Sequence, residues 1–73
     1  MTPDEVDRIL AIMTRQRPFR AYVIELFSGD RLTVVHPEAV GRWNHFYYFI
    51  GRDRTRRFFV AASVCQIFLP AES

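Results

Sequence analysis

The chain has one cysteine, Cys65, and no lysine. A single thiol cannot close an internal disulfide, and no second thiol is present for a thiolate zinc cluster, so burial alone must hold the fold. A reducing, cytoplasmic setting follows as the expectation. The missing lysine leaves all ten basic side chains as arginine, a bias that genome composition alone can produce. Glycine is scarce, with three isolated residues, and no glycine-rich phosphate loop can be built from them. No apolar run approaches a membrane span, and the start Thr2-Pro3-Asp4-Glu5-Val6-Asp7 is acidic where a secretory leader is basic. The reading is a soluble intracellular chain with no membrane partner.

What is present is bulk. Seventy-three residues allow one domain, 1–73, near the lower limit at which a hydrophobic core suffices. The hydrophobic share is 49%, and seven Phe, three Tyr and one Trp supply its largest members, which excludes a disordered composition. The net charge of +2 is unevenly spread: residues 1–30 carry four arginines against five acids, and residues 31–73 carry six against three. The basic half is the later one.

Thr2-Pro3-Asp4-Glu5 reads as a helix start, with a threonine cap, proline at the first helical position and a glutamate that closes a capping box. Behind it Val6, Ile9, Leu10 and Met13 fall on one stripe, with Asp7, Arg8 and Thr14 away from it. Pro18 ends the helix by about Gln16, leaving Arg15 and Arg17 near the negative end of its dipole. Next comes a hairpin around Ser28-Gly29-Asp30. Tyr22, Ile24, Leu26, Leu32 and Val34 make its inner face, opposite Glu25, Arg31 and Thr33. Val23, Phe27 and Val35 are left as an outer apolar patch, the candidate surface for self-association.

His36-Pro37-Glu38 ends the second strand. Glu38 to Trp43 reads as a connection with Gly41 at a turn or bulge. Trp43 there either covers the end of the fold or anchors a partner. The run His45 to Ile50 is aromatic on both faces, so either both are covered or one is open for stacking. Gly51-Arg52-Asp53-Arg54-Thr55 turns the chain into a strand over 56–61. A tight turn at Ala62-Ser63-Val64 precedes the last strand, Cys65 to Leu69.

The residues Pro18-Phe19-Arg20, Ile24, Leu26, Gly29, Leu32, Val34 and His36-Pro37-Glu38 resemble the hairpin pattern PFRPFRI-L-DGR-F-V-HPE of a group of small uncharacterised bacterial proteins. The resemblance covers about the first half of the chain, by matching hairpin positions. Ala21 departs from the proline common in that pattern, and Ser28-Gly29-Asp30 replaces its Asp-Gly-Arg, changes that bear on turn geometry. The resemblance implies a fold and no activity. A helix, five strands and a tight turn before the last also resemble the SH3-like and Sm-like small barrels. Sm-like proteins form rings and bind RNA, but their loop motifs are not found here, so the likeness is one of fold alone.

Arg52, Arg54, Arg56 and Arg57 place four guanidinium groups in six residues, offset by Asp53. Beside Tyr47 and Tyr48 they form a candidate nucleic-acid site, since guanidinium forks grip phosphate and bases stack on aromatic rings. The plainer reading is a charged turn that protects a strand edge. His36, His45 and Cys65, with Glu38 as a fourth, have no ligand spacing, so no metal is expected. Ser28, Ser63 and Cys65 lie in no nucleophile motif, and no paired carboxylates are indicated. No catalytic residue, cofactor or small-molecule substrate follows.

The prediction is an α+β domain: a short N-terminal helix on a bent antiparallel sheet of four or five strands. The sheet closes as an SH3-like small barrel or stays an open meander with the helix on one face. The expected function is a non-enzymatic interaction or scaffold module that self-associates as a homo-oligomer. The alternative is a nucleic-acid-binding module using the arginine turn.

Overall fold

In the computed structural model, which describes residues 1–71, the first helix begins where its capping chemistry places it. Helix α1 spans Pro3–Thr14. Thr2 Oγ1 accepts the Glu5 backbone N–H at 3.2 Å, and the Glu5 carboxylate accepts the Thr2 N–H at 2.8 Å. The box is therefore reciprocal, and the Thr2 N–H bond holds the Glu5 carboxyl below its ordinary pKa. The helix ends at Thr14, within the limit that Pro18 sets. Its last acceptors are covered by side chains: the Thr14 hydroxyl donates to the Leu10 carbonyl at 2.9 Å, and the Gln16 amide donates to the Met13 carbonyl at 2.9 Å. Val6 and Leu10 are buried, and Met13 packs against the same core.

The first hairpin follows its alternation. Strands β1 (Tyr22–Leu26) and β2 (Arg31–Val34) pair antiparallel with Ile24 opposite Leu32. Gly29 takes φ 95°, a left-handed value that glycine adopts without strain, and its N–H donates to the Leu26 carbonyl at 2.9 Å. Tyr22, Ile24, Leu26, Leu32 and Val34 are all buried in the core cluster, as the inner face predicts.

The second half corrects the strand count to six. Residues expected as a connection form β3 (Val40–Trp43), which pairs with β4 (Phe46–Ile50) across the two-residue turn Asn44-His45. Asn44 supplies the φ of 57° that so short a turn requires. Gly41 is not a bulge: the Tyr48 ring lies where a Cβ at Gly41 would project, so the missing side chain is what seats the ring. Strand β5 covers Arg56–Phe59, and a 3-10 turn at Ala61–Ser63 leads into β6 (Val64–Phe68).

The strands form two three-stranded antiparallel sheets, ordered β2-β1-β6 and β3-β4-β5, so the single bent sheet of the prediction is divided. Pairing of β1 with β6 shifts register between Glu25 and Leu26. One core joins the helix to both sheets: Val6 and Leu10 share a buried cluster with Tyr22, Ile24 and Val34 from the first and Tyr47 and Phe59 from the second. The architecture is α+β. Among the described residues no helix is long and apolar enough to cross a membrane.

Candidate functional site

Strand alternation divides the aromatics of the second sheet between two destinations. Tyr47 and Phe49 point inward and are buried, whereas Phe46, Tyr48 and Ile50 point outward. Register brings Trp43 opposite Phe46 and Phe58 opposite Tyr48. The outer face is thus an aromatic surface: Trp43 is 64% exposed, Phe58 54% and Phe46 50%. The Trp43 and Phe58 ring centroids stand 6.4 Å apart with planes tilted by 47°. With Tyr48, Ile50, Arg42 and Arg56 they line a shallow concavity of about 450 Å³. Of the two fates the sequence left open for Trp43, exposure is the one observed.

The inner face explains why this surface faces outward. Tyr47 is 1% exposed, and its hydroxyl donates to Asp7 Oδ1 of the helix at 2.7 Å. Its ring stacks on Phe59 with centroids 5.5 Å apart. Arg42 places its guanidinium 5.7 Å from the centre of the Tyr47 ring and pairs with the same Asp7 carboxylate. Burial, reinforced by the Asp7 bond, pushes the Tyr47 hydroxyl up to about 12. Tyr47 is therefore a core residue, which corrects its expected place in a nucleic-acid site. Tyr48 does lie on the open face.

The four arginines of the predicted cluster go three ways. Arg56 joins the aromatic concavity. Arg52 and Arg54 line a neighbouring groove with Val35, His36, Glu38 and Ile50. Arg57, on the opposite side of its strand, reaches Asp30 of the first hairpin at 2.6 Å and holds that carboxyl below its ordinary pKa. Asp53 forms no ion pair with its arginine neighbours, but hydrogen bonding to Thr55, whose N–H its Oδ1 accepts at 3.0 Å, lowers its pKa and keeps its negative charge in the turn. Ile50 lines both concavities, so they adjoin at that residue.

The predicted patch of Val23, Phe27 and Val35 is not one exposed surface. Val23 is buried at 7% on the central strand, opposite Phe68. Phe27 is exposed in the turn beyond β1, and Val35 is half-buried beside His36. Besides Phe68 that face carries a polar group, with Glu25 taking an ion pair from Arg31 at 3.6 Å and a hydrogen bond from Gln66. Among the described residues there is no cluster of His, Cys, Asp or Glu able to hold a metal. His45 stands in the β3–β4 turn and Cys65 is exposed on β6.

Sequence reasoning reached Tyr48 and the arginines but passed over Phe58, Phe46 and the role of Gly41. The available signal was the pair Gly41 and Tyr48, a residue with no side chain opposite a large one. No family model matches the chain, and no curated protein or solved structure does either.

Proposed function

We propose that the chain is a non-enzymatic binding module whose working surface is the outer face of β3-β4-β5. The observation that carries this reading is the contrast between the two sheets. One outer face is knitted by Glu25, Arg31 and Gln66, while the other leaves Trp43, Phe46 and Phe58 half or more exposed. Aromatic side chains gathered on one face, with arginine at the rim, have the composition of a binding surface. We also read the two sheets as halves of an SH3-like small barrel. Supporting it are the 3-10 turn before the last strand, the return of that strand to β1, and the bond from the Phe27 N–H to the Ser63 carbonyl at 2.9 Å.

The test is whether these rings serve folding. Trp43→Ser and Phe58→Ser are each expected to lower unfolding free energy by no more than about 1 kcal/mol, the worth of a half-exposed aromatic on a strand. A loss above about 2 kcal/mol in chemical denaturation makes them structural and removes the reading. A second reading, association of copies along strand edges, draws on the two outer strands that each sheet leaves. A strict monomer by light scattering at every concentration removes it.

A further inference from the structure

We infer that this face takes single-stranded nucleic acid, with bases stacked on Trp43, Tyr48 and Phe58 and phosphates held by Arg56, Arg54 and Arg52. The inference rests on the face being the working surface. The rings supply the first half of the chemistry. Trp43 and Phe58 present open aromatic area around one concavity, and unpaired bases stack on such rings with little regard to sequence. A duplex keeps its bases stacked on one another and does not offer them.

The arginines supply the second half. Arg56 sits in the aromatic concavity, and the groove that continues from it past Ile50 carries Arg52 and Arg54. Among the described residues no carboxylate lies within ion-pair distance of any of these three. Asp53 is committed to its own turn, and Glu38 is the acid that lines the groove. A strand laid across the sheet therefore meets open aromatic surface with Arg56 beside it at one end and the guanidinium forks of Arg52 and Arg54 at the other, where Glu38 and Asp53 offset their charge.

Trp43 is the chain's one tryptophan, so its emission reports on the face directly. The full chain is titrated with single-stranded RNA and DNA of about 12 nucleotides, within the usual site sizes. A duplex of the same sequence and inorganic polyphosphate are run beside them. Quenching of Trp43 by the single strands is expected, with Phe58→Ala weakening binding about tenfold or more. Arg54→Ala combined with Arg56→Ala lowers the slope of log affinity against log salt by roughly 1.4, two phosphate contacts at about 0.7 each. RNA and DNA share these bases and phosphates, and quenching by either supports the inference.

Absence of binding to both strands at low salt overturns it. So does equal binding of duplex or polyphosphate with no loss in Phe58→Ala, which leaves a charged turn alone. Concentration-dependent association that Phe58→Ala abolishes gives the face to a second copy, overturning the inference while the binding-module reading stands. That reading fails separately, through the stability of Trp43→Ser and Phe58→Ser.

Discussion

Two tyrosines show how differently one residue type is used in this core. Tyr22 and Tyr47 are both almost fully buried, yet Tyr47 donates to Asp7 and the Tyr22 hydroxyl has no partner. A buried hydroxyl without a partner has lost its water and gained nothing polar, so removing it removes a cost. Tyr22→Phe keeps the ring, whose edge contact with Phe19 has centroids 6.1 Å apart, and is expected to leave stability unchanged or raise it by up to about 1 kcal/mol. Tyr47→Phe breaks a hydrogen bond to a charged carboxylate and is expected to lose about 2 kcal/mol. In a domain of this size that difference amounts to roughly 10 °C in Tm. Urea denaturation of the two variants side by side checks the contrast. A loss above about 1 kcal/mol in Tyr22→Phe would refute the unpartnered hydroxyl.

At the scale of the element, the informative pair is β3 and β4. Gly41 lies opposite Tyr48, and the ring occupies the space of the absent side chain. Gly41→Ala must therefore lift the ring off the strand. Because the displaced atoms are the far end of a mobile side chain, the expected stability loss is small, about 1 kcal/mol, while the outer face changes shape. Denaturation together with the emission of nearby Trp43 checks this: a shifted spectrum with nearly preserved stability is expected, and an unchanged spectrum shows that Tyr48 never rested there. The same pair shows what period alone can and cannot reveal. In β1 and β2 one face is apolar and the other carries Glu25, Arg31 and Thr33, so alternation identified the core directly. In β4 both faces are aromatic and alternation leaves the choice open; Tyr47 is the inward residue, and its hydroxyl meets Asp7, a helix residue that the apolar stripe placed away from the interior. Arg56 and Arg57 are adjacent on one strand and so diverge, which the grouping of four arginines into one site did not take into account. Alternation gave no hint that Arg57 would meet Asp30 across 27 residues of chain.

For the whole molecule, the charge that matters most to stability lies on the alkaline side. Glu5, Asp30 and Asp53 have lowered pKa values, but each is exposed, so solvent screens what their partners contribute and acid should loosen the fold only gently. Tyr22 and Tyr47 are different: burial pushes each up to about 12 from an ordinary value of 10.0. Between those values the unfolded chain releases protons that the folded chain retains, so stability falls as pH rises. The contribution is complete below pH 10 and gone once pH passes about 12. One tyrosine belongs to each sheet and both belong to the single core, so ionising either opens the structure that buries the other. Alkaline unfolding is expected to be one cooperative step in which tyrosinate absorbance and loss of circular dichroism coincide. Melting temperatures measured across this range should fall more steeply than over the acid limb. The decline should flatten in the double variant Tyr22→Phe with Tyr47→Phe, which has no proton left to lose at either site. An equally steep decline in that variant would place the alkaline weakness outside these two hydroxyls.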